Sequence, residues 1–115
     1  MQKLALIAML AAISAGAQTP ATGNAENGKR LFLRDGCYEC HGYGGQGGVA
    51  GARIATIGLN AQGLIRYVRR PAGAMPAYTD KVISDQELTD IHAYLQSLPK
   101  AKAVKDIPLL NQMQK

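Results

Sequence analysis

The chain has only two cysteines, three positions apart, and a histidine follows the second at once: Cys37-Tyr38-Glu39-Cys40-His41. One pair closes at most one bridge, so a disulfide-knotted scaffold is excluded. A zinc site wants four ligands, or three and a water. Besides Cys37, Cys40 and His41 the chain offers only the distant His92. A thioredoxin-like redox pair wants a strand before it and a helix after it, whereas a helical pattern precedes this pair. A plain structural disulfide leaves the adjacent histidine without a purpose.

The pattern is the attachment signature of c-type haem, and the spacing has a geometric reason. With two residues between them, the Cys37 and Cys40 thiols can each add to a vinyl group of one porphyrin. His41, one position on, is then brought beneath the iron. Composition agrees with a cofactor inside the fold. Hydrophobic residues make up 47% of the 115, yet there is one Phe, no Trp and five Tyr, too few large side chains to fill an interior. A porphyrin supplies the missing apolar surface.

Residues 1–17 have the form of a cleaved export signal. Lys3 gives a positive start, Leu4 to Ile13 is an apolar run of ten, and Ala15-Gly16-Ala17 places small residues at the cut. That run is shorter than the roughly 20 residues a bilayer needs, so the mature chain is expected in the periplasm without a membrane span. Its charge falls by one, with Lys3, from the +5 of the whole chain. Lys and Arg are scattered without aromatic stacking platforms, which argues against nucleic acid and for an acidic protein surface as partner.

The remainder divides into a flexible leader over 18–23, a helical domain over 24–99 and a tail over 100–115. Asn24 caps a helix from Ala25 to about Arg34, with Gly36 as its stop. Gly28, Leu31 and Phe32 share a face, and Gly28 marks a close approach of the last helix. That helix opens with Ser84-Asp85-Gln86-Glu87, a capping box, carries Leu88, Ile91, Tyr94, Leu95 and Leu98 as a stripe, and ends at Pro99. A third helix fits between Asn60 and Pro71, with Leu64, Tyr67 and Val68 inward and Gln62, Arg66, Arg69 and Arg70 outward. No segment alternates as a strand. The tail is expected as an extended arm pinned by Ile107, Leu109 and Leu110.

From Asn24 to Pro99 the chain resembles the small monohaem class I cytochromes c of bacterial periplasms. The resemblance rests on Gly28-Lys29-Arg30-Leu31-Phe32, on Cys37 to His41, on Arg69 to Tyr78 and on Ile91 to Leu98. It implies an all-α class I cytochrome c fold, three main helices and Gly-rich loops around one covalent haem c. The first and last helices would cross at Gly28, Phe32, Ile91 and Tyr94. Met75, before Pro76, is similar to the family's axial methionine, which makes His41 and Met75 the expected iron ligands. In the family a proline carbonyl after the attachment motif usually orients the proximal histidine. This chain has Gly51-Ala52-Arg53 there, so the Ala52 carbonyl would have to serve.

Other residues have plainer readings. His92 lies at the edge of the last helix's buried face, as a surface or satisfied histidine. The seven glycines from Gly42 to Gly58 lack the Gly-Lys-Ser/Thr ending of a phosphate loop and are expected to let backbone pass the porphyrin edge. Arg53, or one of Arg66, Arg69 and Arg70, is a candidate partner for a haem propionate. Tyr67 and Tyr78 are candidate haem neighbours or core fillers. The resemblance implies a carrier of single electrons, not an enzyme, passing them from a dehydrogenase, or as a subunit of one, toward an oxidase or another cytochrome. The alternative is a haem enzyme or gas sensor whose sixth iron position is open or displaceable.

Overall fold

The computed structural model describes residues 22–113. The expected signal over 1–17 and most of the leader lie outside the described residues. Within them the chain forms α1 (Ala25–Arg34), α2 (Cys37–His41), α3 (Ala61–Arg69), α4 (Asp85–Ser97), a 3-10 turn (Val104–Asp106) and α5 (Pro108–Gln112), with no strand among the described residues. The fold is all-α, as a class I cytochrome c fold requires.

α1 and α4 cross as the sequence predicts, and glycine is what lets them. A Cβ on Gly28 would lie 2.9 Å from the Ile91 backbone nitrogen and closer still to the Asp90 carbonyl. Leu31 and Phe32, one turn on, are fully buried, and the Phe32 ring meets Tyr94 edge-on with centroids 5.5 Å apart. The Asn24 side chain accepts from the Asn27 N–H, and Ser84 and Glu87 close the expected capping box at the start of α4. A buried carboxylate that the pattern did not reveal reinforces the crossing. Asp90 accepts from the Asn24 N–H at 2.8 Å, from Asn27 Nδ2 at 2.7 Å and from Gln86 Nε2 at 3.1 Å. Burial pushes its carboxyl up, and these donors together outweigh that, leaving it below its ordinary value.

α3 keeps its predicted span, with the Asn60 side chain accepting from the Gly63 N–H, but its inward face is turned. Leu64, Ile65 and Val68 are buried, and Tyr67 is 43% exposed. α3 packs on α4, and Tyr67 stands at the edge of the face that Leu64, Ile65 and Val68 bury. Arg69 is corrected as well. It bends inward and bonds two backbone carbonyls and Asp85. Pro99 ends α4's run and has no N–H for the Leu95 carbonyl four residues back; the Thr56 N–H supplies it at 2.8 Å.

The tail departs from expectation. It is partly helical, and α5 packs only on the 3-10 turn before it. Leu109 is exposed, and Ile107 and Leu110 are half-buried. Three apolar residues within four positions close one local turn, and among the described helices α5 meets only the 3-10 turn.

Candidate cofactor site

α1 and α2 are joined by Asp35 and Gly36. Gly36 sits in the left-handed region at φ 74°, which a side chain would resist, and this reversal sets Cys37, Cys40 and His41 on one short helix. Both cysteines are free thiols: Cys37 half-buried against the core, Cys40 exposed. Burial, with the nearby Asp35 charge, pushes the Cys37 thiol up to about 11, so it stays a neutral thiol at ordinary pH.

His41 Nδ1 lies 2.7 Å from the Ala52 carbonyl oxygen. A carbonyl can only accept, so Nδ1 carries the ring proton and Nε2 keeps its lone pair for a ligand. The Ala52 carbonyl thus sits where the sequence expectation needs an acceptor for His41. The loop after α2 folds back to bring it there. Gly47 N–H donates to the His41 carbonyl at 2.8 Å, Gly48 N–H to Gly51, and Ile54 and Ala55 both to Gly45. The glycines allow this self-packing: a Cβ on Gly51 would lie 2.8 Å from the Cys40 carbonyl oxygen, and one on Gly47 2.5 Å from the Arg53 nitrogen. Gly45, Gly47 and Gly51 meet their own chain. The tight turn beneath His41 explains them.

Met75 is half-buried and packs against the core, as do Ile54, Ile57 and Tyr78. Like Cys37, these side chains pack on the core and are only partly covered by the chain. Two free thiols, an Nε2 lone pair and incompletely covered apolar side chains fit a haem. The competing readings lose ground on particular contacts. His92 Nε2 lies 2.8 Å from the Leu59 carbonyl, and among the described residues His92 joins no metal-holding group with Cys37, Cys40 and His41. Among the described residues no three His, Cys, Asp or Glu side chains gather as a metal-holding group. Of the candidate propionate partners, Arg53 donates to the Pro99 carbonyl at 2.9 Å and Arg69 is engaged internally, while Arg66 and Arg70 are exposed.

Two functions of residues were not legible in the sequence: the buried Asp90 and the inward Arg69. An acidic residue inside an apolar stripe was the available signal for the first, and nothing in the periodicity marked the second.

Residues 23–95 match the model of the family described as "Cytochrome C oxidase, cbb3-type, subunit III". The chain is also 30% identical over 101 aligned residues, 75% of its own length, to the "Cytochrome c oxidase subunit 2" of Alkalihalophilus pseudofirmus. It spans 29% of that relative's length. No solved structure matches the chain. The family match runs from just before α1 to Leu95 in α4 and takes in the thiol pair, the oriented histidine and the helix crossing; the chain belongs to this family, as a small class I c-type cytochrome.

Proposed function

We propose that this cytochrome is an exported monohaem electron carrier. Its haem is joined by thioethers to Cys37 and Cys40 and ligated by His41 and Met75, and it takes single electrons from a dehydrogenase toward a terminal acceptor. Electron transfer and haem binding follow from the family itself. The observation that carries the finer reading is the 2.7 Å contact from His41 Nδ1 to the Ala52 carbonyl, on the same short helix as two free thiols. The likeness to an oxidase subunit supports an oxidase as acceptor.

When bound, the haem supplies a one-electron couple whose potential a thioether ligand raises relative to two imidazoles. The protein supplies the rest. The Ala52 carbonyl holds the imidazole in one tautomer and makes it more basic. Met75 would contribute a soft, uncharged ligand. With His41 and Met75 both holding the iron, substrate would have no open place on it, which favours a carrier over an enzyme or gas sensor. Exposed Arg66, Arg70 and Lys81 steer an acidic partner, so the association rate should fall as salt rises.

The test is the visible spectrum of protein secreted by a host competent for cytochrome maturation. The expected result is a Soret band that stays with the polypeptide through acid-acetone extraction, and a weak far-red ferric band that Met75→Ala abolishes. Haem that extracts freely would refute the attachment. A far-red band that survives Met75→Ala would refute the ligand.

A further inference from the structure

Between Arg70 and Tyr78 the chain crosses a segment bounded by Pro71 and containing Pro76, with Met75 inside it. Among the described residues, none of residues 71–77 takes part in a hydrogen bond. Two prolines stiffen the segment, but apart from the packing of Met75 against the core its hydrogen-bonded attachments lie at its ends.

The near end is simply α3 running out, with the Arg70 N–H on the Arg66 carbonyl at 3.2 Å. The far end is Tyr78, and all three of its polar groups are used. Its N–H donates to the Val68 carbonyl at 3.2 Å, its carbonyl accepts from Arg69 Nη1 at 2.9 Å, and its hydroxyl donates to the Asp35 carbonyl at 3.2 Å. Asp35 stands two residues before Cys37, so the phenol ties the Met75 segment to the turn that launches the thiol pair. Arg69 continues from Tyr78 to the Ile83 carbonyl at 2.8 Å and to Asp85 at 2.6 Å. Only 20% of its side chain is exposed. One planar guanidinium thus bridges the end of the Met75 segment and the start of α4, a two-carbonyl contact that a lysine's single ammonium cannot reproduce in the same geometry.

We propose that Arg69 and Tyr78 are positioning residues for Met75. They hold the methionine segment against α3 and the α1–α2 turn, so that the thioether stays at its ligand position and competing ligands are kept out. The inference rests on Met75 being the sixth ligand. A methionine on an unfastened segment spends more time away from its place, and a competitor's apparent affinity rises with that fraction. A purely structural arginine, joining α3 to α4 through Asp85, would lower stability without this selectivity.

Imidazole titration of the ferric holoprotein separates the two. In Arg69→Gln and in Tyr78→Phe, the apparent Kd for imidazole should fall about tenfold or more, and the far-red band should weaken while far-UV circular dichroism is unchanged. Arg69→Lys should not restore the wild-type value. If Arg69→Gln fails to fold, Tyr78→Phe, which removes a single hydroxyl, decides alone. A Kd within twofold of wild type in the folded variants, with Met75→Ala binding imidazole tightly and lacking the band, would overturn the fastening and leave the ligand standing. A band persisting in Met75→Ala would remove the ligand assignment and this proposal with it.

Discussion

Gly28→Ala should cost this protein a large part of its stability, although in an exposed helix the same change would help. The helical gain is about 1 kcal/mol. Against it, the new Cβ would sit 2.9 Å from Ile91 N and inside contact distance of the Asp90 carbonyl, where carbon contacts normally settle near ~3.5–4.0 Å. The obstacle is helix backbone, so no rotamer relieves it and α1 must move away from α4. Overpacking of this kind typically costs about 1–3 kcal/mol. Separation also loosens the Phe32–Tyr94 edge contact, worth about 0.5–1.5 kcal/mol. It lengthens the bonds from Asn24 and Asn27 to Asp90, each of the charge-assisted kind worth about 1.5–3 kcal/mol. A net loss of roughly 2–4 kcal/mol follows when partial relaxation is allowed, with a Tm lower by about 10 °C or more. Urea denaturation of the holoprotein, followed by far-UV circular dichroism, measures it. Gly48→Ala is the control, since nothing lies within 4 Å of its Cβ position, and it should change stability by less than about 0.5 kcal/mol. A Gly28→Ala protein as stable as that control would refute the account of the crossing.

Two further outcomes follow. Asp90→Asn should destabilise by about 1.5–3 kcal/mol at neutral pH. The Asp90 carboxyl is held below its ordinary value in the fold, so its contribution is complete above the unfolded value near ~3.9. It is lost as pH falls through the folded value. The gap between variant and wild type should therefore narrow in acid, and a gap constant with pH would contradict the assignment. Ala52→Pro should be tolerated, because the carbonyl that accepts from His41 remains and the Ala52 N–H makes no hydrogen bond among the described residues. A gain of about 0.4–1 kcal/mol in denaturation is expected, and a large loss would show that the backbone there cannot take proline's φ.

What local chemistry could settle, the sequence settled by itself. Asn24 and the Ser84–Glu87 box bound their helices because capping involves residues three apart on one strand of chain. Gly28 could be recognised as a crossing because a mid-helix glycine is costly without a close neighbour. The attachment motif lies within five residues and needs no tertiary information. Even the Ala52 carbonyl was legible, since a backbone acceptor survives the loss of the family's proline, and the 2.7 Å contact bears that out.

The tertiary structure decided everything that depends on which surface arrives from elsewhere. Periodicity places Arg69 on α3's outer side, but a long side chain on the last turn reaches whatever is laid over it, and the segment from Met75 to Ile83 is laid there. Ile65 is buried and Tyr67 is partly exposed, because which flank of the α3 stripe is covered depends on what packs there, and helical spacing does not encode that. Asp90, beside the apolar stripe of α4, becomes a polar fastening because α1 brings Asn24 and Asn27 against it. Spacing along a helix fixes which side chains share a face; only packing fixes what that face meets, because the partner is remote in the chain and its approach is set by the sum of all the contacts made there.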